Sequence, residues 1–434
     1  MLIRFRARNF RSLKDEQELS LVASSLKDSP EAVTQVKGLD LGLVRVAAIY
    51  GANASGKSNV IKALAYMSGA VQNSQRQWAP EGPIPREPFL LDPSSRLDPS
   101  SFEVDLLLDG VRFHYGFTLN DREILAEWLD AYPIGKRQMW FKRDGTTFTF
   151  GNKLGGDNNV IERLTRTNSL FLSAAAQNNH EALLPVYKWF AERFSFVPKD
   201  REPLWKEIAQ MCQDDTVKSS LLNVLRVADL GVVGMVVRER NFSESTDAQG
   251  RPLDVEVLAQ NLFARVRKRA GTFTGKTHSI ALIHKGSAKD GVTIREDDES
   301  EGTLAFLGLL GPVLSATDSG GTIVVDELDA SLHPLLALEV VRLFNDPKLN
   351  PHGAQIIFTT HDTNILDKAS LRRDQIWFTE KDAEGGTHLY PLTDFKPRKN
   401  EKLERGYLQG RYGAVPFISS PDFLANPHQN KAER

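Results

Sequence analysis

Apolar and polar positions change rhythm several times along the chain, and each change predicts an element. Near the start, "LIRFRARNF" alternates apolar and basic residues, the period-two pattern of a strand with one buried face. "VRVAAIY", Val44 to Tyr50, is apolar almost throughout and predicts a buried strand. "SNVIKALAYM" after it sets Val60, Ile61, Leu64 and Met67 at helical spacing. From Phe102 to Phe150 the pattern is that of hairpins. "FEVDLLLDGVRFHYGFTL" turns at Asp109-Gly110 and "MWFKRDGTTFTF" at Asp144-Gly145, which predicts an antiparallel sheet. Helical spacing dominates from about Asn159 to Leu230, and strands return in "ALIHKG" and "GVTIRE". "GGTIVVDELD" and "GAQIIFTTHD" are apolar runs that end in polar residues, the form of central strands whose C-terminal ends carry function.

Between the buried strand and its helix lies "YGANASGKSN". Gly51, Gly56, Lys57 and Ser58 fit G-x-x-x-x-G-K-[ST], and the strand–loop–helix context is the one such a loop requires. Backbone N–H groups of Gly51, Asn53, Ala54, Ser55, Gly56, Lys57, Ser58 and Asn59 would surround phosphates, with the Lys57 ammonium near the terminal ones and the Ser58 hydroxyl offered to Mg²⁺. Downstream, "TIVVDELDASLHP" ends an apolar strand in Asp326-Glu327. Asp326 can hold Mg²⁺, and Glu327 is placed to orient or deprotonate an attacking water. His361 ends the next strand and can sense a γ-phosphate by hydrogen bonding, or simply cap or fill the fold there. Ser300, Gly302 and Thr303 precede a helical run from Leu304. That is either an anion site at a helix N-terminus or an ordinary N-cap.

Composition narrows the class. The chain has 434 residues, 41% hydrophobic and 25% charged, enough for two or three lobes with their own cores. Its net charge of -2 does not mark a whole-molecule nucleic-acid binder, although "ARVRKR", Ala264 to Arg269, leaves room for a local basic patch. The single cysteine, Cys212, excludes an internal disulfide and a cysteine-based zinc site. The N-terminus lacks an apolar h-region, and no run reaches the ~18 apolar residues of a membrane span. A cytoplasmic protein with no membrane partner is expected.

Glycine loop, serine–glycine segment, acidic strand and strand-end histidine, in that order, resemble an ABC-type ATPase. "NFRSLKD", "ESEGT", "VVDELDASLHP", "FTTHD" and "GRYGAVP" are similar to the motifs of stand-alone bacterial ABC ATPases of antiphage defence, the RloA and AbiLii-like group related to OLD, RecF and SMC heads. The resemblance covers nearly the whole chain. It implies an α/β fold, an ABC-type P-loop ATPase core with an antiparallel β subdomain and an inserted helical lobe, using ATP and Mg²⁺. It implies that the segment Asn9, Phe10, Arg11 and Ser12 lies beside the nucleotide, and that Ser300 and Gly302 contact ATP held by another subunit. Glu327 would be the catalytic glutamate and His361 the switch histidine. Two departures stand out. The signature reads Glu-Ser-Glu-Gly-Thr, and Leu332-His333 replaces the usual Leu-Asp after the acidic strand. Gln72, Gln75 and Gln77 are candidates for the Mg²⁺-coordinating glutamine, and nothing singles one out.

The expected organisation is an N-terminal ATPase lobe over 1–158, a helical insertion over 159–230, a C-terminal ATPase lobe over 231–420 and a flexible tail over 421–434. A GTPase is disfavoured because "NKLG" at 152–155 lacks the aspartate that reads guanine. The long segment between Lys57 and Ser300 disfavours a compact transport motor, and missing heptads disfavour a tethering SMC protein. The expected assembly is a homodimer or higher homo-oligomer that controls a separate effector protein, a toxin or nuclease. A DNA-repair ATPase of the RecF or SMC kind is the alternative.

Overall fold

The computed structural model describes residues 1–36, 41–133, 135–199, 208–228, 230–241, 276–288, 290–295, 298–369, 371–398 and 401–416. The basic run at 264–269 and the expected tail at 421–434 lie outside them. The chain is a mixed α/β protein that divides into two compact units. The first is Met1–Lys199 with Val313–Arg434, and the second is Asp200–Pro312.

The first unit contains two large sheets. One has seven antiparallel strands in the order β10-β9-β8-β7-β6-β1-β2. These are β1 (Leu2–Arg8), β2 (Gln17–Ser20), β6 (Ser100–Leu108), β7 (Val111–Leu119), β8 (Ile124–Tyr132), β9 (Gln138–Asp144) and β10 (Thr147–Phe150). Both expected hairpins are present. At the first, Asp109 and Gly110 have φ of 48° and 80°, the left-handed pair that a tight two-residue turn requires. A small ribbon pairs β3 (Val33–Gln35) with β4 (Gly42–Val44).

The other sheet has six strands in the order β11-β15-β16-β5-β17-β18. They are β5 (Val46–Gly51), β11 (Phe194–Val197), β15 (Thr322–Val325), β16 (Gln355–Thr359), β17 (Ile376–Lys381) and β18 (Thr387–Pro391). All pairings are parallel except that of β18 on the edge. Every residue of β5, β15 and β16 is buried, which is why these strands read as continuous apolar runs rather than alternating ones. The helix Lys57–Asn73 buries Val60, Ile61, Leu64 and Met67, the stripe that its sequence spacing predicts.

A buried side-chain amide helps to join the sheets. Gln355, fully buried at the start of β16, accepts from Leu2 N–H at 2.6 Å and donates to the Leu2 carbonyl at 2.9 Å and the Val44 carbonyl at 3.2 Å. A glutamine in an apolar run would be costly unless its amide were satisfied, and here the first strand supplies the partners.

The expected helical insertion divides differently. Residues 159–199 stay with the first unit. Leu170, Phe171, Leu172, Val186, Trp189 and Phe190 join its main core, and β11 edges its parallel sheet. Buried Glu127 accepts from Phe171 N–H at 2.6 Å and Leu172 N–H at 3.0 Å, so the β8 carboxylate caps the helix Phe171–Gln177. The second unit holds the helix Asp215–Val227 and an antiparallel sheet of β12 (Val232–Asn241), β13 (Lys276–His284) and β14 (Val292–Arg295). The strands at 232–295, expected within the C-terminal ATPase lobe, therefore belong to the second unit, and the first unit resumes at Val313.

Replacing Gln355 by alanine leaves buried groups of Leu2 and Val44 unpaired. The expected cost is about 2–4 kcal/mol, read as a lower denaturation midpoint in urea with an unchanged slope. A midpoint equal to that of the wild type would show that the two sheets do not depend on this amide.

Candidate functional site

The chain turns from β5 into the helix Lys57–Asn73 through a loop that leaves little room for side chains. Gly51 has φ of 156°, and a Cβ there would stand 2.5 Å from both the Ser55 and Thr379 hydroxyl oxygens. Gly56 has φ of 104°, and a Cβ would collide with the Thr387 side chain and lie 2.9 Å from Ser12 Oγ. Both glycines of the motif are thus required by conformation and by space. The helix opens at Lys57 with no side-chain cap, the kind of helix start whose N–H groups can serve an anion. Lys57 is buried, and its ammonium donates to the Gly51 carbonyl at 2.8 Å and the Ala52 carbonyl at 3.1 Å. Burial lowers its pKa, against the pull of Glu327, Asp329 and Asp326.

The acidic strand end meets this loop directly. Ser58 Oγ donates to Asp326 Oδ1 at 2.7 Å, and Thr359 Oγ1 donates to the same oxygen at 2.9 Å. Asp326 is buried, with Lys62 Nζ 4.0 Å from its other oxygen. A hydroxyl and a carboxylate in contact form a hard oxygen donor set of the kind Mg²⁺ takes when phosphates and water fill its remaining positions. Among the described residues no group of three or more His, Cys, Asp or Glu could hold a metal by itself. Glu327 follows with φ of 50°, a left-handed conformation that costs a glutamate energy. Its N–H donates to Thr359 Oγ1 at 2.7 Å, and its carboxylate receives the ammonium of Lys199 at 2.8 Å.

The other expected residues separate. His361 lies two residues beyond the end of β16, exposed, its N–H on the Asp329 carboxylate at 3.3 Å. Partial burial of its ring and then the Lys57 ammonium lower its pKa, so its neutral form is favoured. Asn9 must be corrected. It is 1% exposed, and its amide is consumed by the carbonyls of Ser95 and Asp98, both at 2.7 Å, and by Phe89 N–H at 2.9 Å. It shapes the 87–99 loop and has no group left for a nucleotide. Arg11 pairs with Glu87 at 2.7 Å. The residue of this segment that reaches the loop is Ser12, whose Oγ accepts from Asn59 Nδ2 at 2.7 Å and lies 2.8 Å from Thr387 Oγ1. Gln72 donates to the Phe190 carbonyl at 2.7 Å and Gln75 accepts from Ser169 Oγ at 2.6 Å, so both serve packing. Ser300 and Gly302 belong to the second unit. Ser300 Oγ accepts from Thr303 N–H at 3.1 Å and caps the helix Glu301–Ser319.

The helix just before the "GRYGAVP" segment, which carried no mechanism in sequence, packs against the strand that leads into the glycine loop. Tyr407, on the short helix Leu403–Leu408, stacks on Phe378 at 5.4 Å and meets Tyr50 edge-on at 5.8 Å. Its hydroxyl donates to the Ala414 carbonyl at 3.1 Å. Tyr412, within the segment, stacks on the same Phe378 ring at 5.8 Å. Thr363, just past His361, donates to Glu404 at 2.8 Å. Tyr407 and Glu404, on one short helix, therefore join the strand that leads into the loop to the stretch after the histidine. Lys199 and Tyr407 are the residues near the site that no motif marked.

A family model described as "AAA domain, putative AbiEii toxin, Type IV TA system" matches residues 46–367, well over half of the chain. No curated protein matches. Among solved structures, a Smc head bound to the C-winged helix domain of ScpA is 13% identical, with 90% of this chain and 96% of that one covered and a TM-score of 0.37. A Smc head with an extended coiled coil bound to the C-terminal domain of ScpA, from Pyrococcus furiosus, is 13% identical over 95% and 98%, with a TM-score of 0.38. No helix among the described residues is long and apolar enough to cross a membrane.

Tyr407→Phe keeps the stacked ring and deletes only the hydroxyl that donates to the Ala414 carbonyl. It is expected to cost about 1–3 kcal/mol in urea unfolding, the penalty of leaving a buried backbone carbonyl unpaired. No change in midpoint would remove the hydroxyl from any part in holding this segment.

Proposed function

Because the chain belongs to the AbiEii-type AAA-domain family, we propose that it is an ABC-type ATPase. In this reading two chains close around ATP, and turnover controls a separate effector in bacterial antiphage defence. The observation that carries the ATPase reading is the contact of Ser58 with Asp326 at 2.7 Å, with Glu327 one residue further on. It brings a phosphate loop, an oxygen pair suited to Mg²⁺ and a carboxylate able to act on water into one site.

In this mechanism the N–H groups of the loop and the Lys57 ammonium bind the phosphates of ATP. Ser58 and Asp326 would hold Mg²⁺, which supplies charge neutralisation on the phosphates. Glu327 accepts a hydrogen bond from the attacking water and takes its proton as the oxygen bonds to the γ-phosphorus. The bond from that phosphorus to the β–γ bridging oxygen breaks, giving ADP and phosphate. His361, kept neutral beside Lys57, offers a ring N–H to the γ-phosphate. Ser300 and Gly302, at a helix start, would complete the site of a second chain, which requires a dimer.

The defence reading rests on the end motifs and on the toxin–antitoxin wording of the family description. It assigns the nucleotide switch to this chain and the destructive chemistry to a partner encoded nearby. The carboxylates that we can place in a reactive setting are used by the ATP site. The RecF or SMC-like alternative would need a nucleic-acid surface that a net charge of -2 does little to provide.

Lys57→Ala is expected to abolish most ATP binding. Glu327→Gln should bind ATP, lose on the order of 10²-fold or more in turnover, and accumulate as a dimer by light scattering with saturating ATP. Full turnover by Glu327→Gln would dismiss the glutamate, and a protein monomeric under saturating ATP would sink the paired site.

Expression of this chain alone and with its genomic neighbour tests the control of an effector. Toxicity is expected to need the neighbour. Nucleic-acid cleavage by the purified chain alone, with its ATPase intact, would overturn that division of labour.

A further inference from the structure

The strand that edges the parallel sheet delivers a residue to the candidate site that no motif names. β11 runs parallel to β15, with Val197 opposite Val325. The ladder continues one step beyond the strands, because Asp326 N–H donates to the Val197 carbonyl at 2.9 Å. Pro198 and Lys199 therefore leave β11 alongside Asp326 and Glu327. The Lys199 ammonium ends 2.8 Å from Glu327 Oε2.

Stability is a poor reason for this pair. The Lys199 side chain is 63% exposed, and ion pairs at such positions add little to folding. Glu327, in contrast, has every reason to be steered. Its backbone is held in a left-handed conformation and fixed by the Thr359 hydroxyl, but three side-chain rotations separate that backbone from the carboxylate. An activating carboxylate works only when its oxygen lies within hydrogen-bond reach of the water, and a displacement of an ångström is expensive in rate. Glu327 first, with Asp326 and Asp329 behind it, raises the pKa of Lys199, so its ammonium stays charged beside the carboxylate.

We propose that Lys199 is a positioning residue for Glu327, holding its carboxylate where it can act on the water attacking ATP. The proposal rests on the ATPase reading above. Lysine is suited to the task, since a mobile ammonium can follow the carboxylate when phosphates enter, whereas a backbone donor could not.

The test uses the full chain with Lys199→Met, which keeps length and removes charge, and Lys199→Arg, which restores it. Lys199→Met is expected to lower kcat for ATP roughly tenfold with a KM within about twofold, and Lys199→Arg to recover most of the loss. In a Glu327→Gln background Lys199→Met should have no further effect, because its action passes through the carboxylate. Wild-type turnover by Lys199→Met, or an equal loss in both backgrounds, overturns the proposal. Binding of ADP–tetrafluoroaluminate provides a readout that needs no turnover. Lys199→Met should weaken this mimic roughly tenfold and leave binding of ATP unchanged. A wild-type protein that binds the mimic through Lys199 but never hydrolyses ATP would refute the ATPase reading alone, and equal mimic binding by both proteins would refute the positioning role alone.

Discussion

One carboxylate oxygen organises the centre of this molecule. Asp326 Oδ1 receives the hydroxyls of Ser58 and Thr359, so the ends of three structural pieces converge on a single acceptor. These are the acidic strand, its parallel neighbour and the helix that follows the phosphate loop. Thr359 extends the arrangement by accepting from Glu327 N–H. A buried carboxylate without such donors would be expensive, and the donors without it would be left unpaired. The geometry of the loop and that of the acidic strand are therefore one problem with one solution. The parallel sheet serves mainly to bring the C-terminal ends of its strands to that point.

Much of this was legible in the sequence because two signals coincide there. Continuous apolar runs in β5, β15 and β16 mark strands covered on both faces, and the polar residues that end them mark where the chain surfaces at the site. Gly51, Gly56, Lys57 and Ser58 are fixed by the demands of a tight loop, so their spacing is local and readable. The hairpins of the antiparallel sheet are equally local, since Asp109-Gly110 announces its own turn.

What escaped the sequence depends on distant partners. Lys199 follows a short strand whose place is set by pairing with β15, more than a hundred residues away in the chain, and nothing around "FVPKD" announces it. Asn9 illustrates the opposite error. Its position within "NFRSLKD" suggests a ligand contact, but its amide is spent on the 87–99 loop, and its near neighbour Ser12 touches the phosphate-loop helix instead. The boundary of the helical segment was misplaced for a similar reason. Amphipathic helices at 158–188 look alike whether they pack on their own lobe or on the main core, and only the buried side chains from Leu170 to Phe190 decide the matter.

The packing of Tyr407 on the strand before the phosphate loop, and of Thr387 on the loop itself, bears on how the protein is made. A ribosome releases Gly51 through Ser58 early, hundreds of residues before the tyrosine that packs edge-on against Tyr50 and the threonine that lies against Ser12. β5 is also the middle of a parallel sheet whose other members are translated later, so the strand cannot settle into its final neighbours during early synthesis. The nascent chain thus carries the phosphate-binding sequence for most of its translation without the scaffold that shapes it. The scaffold is complete only late, when residues near 400 fold back onto the first eighth of the polypeptide. A truncated or stalled product would carry the loop without the partners that shape it.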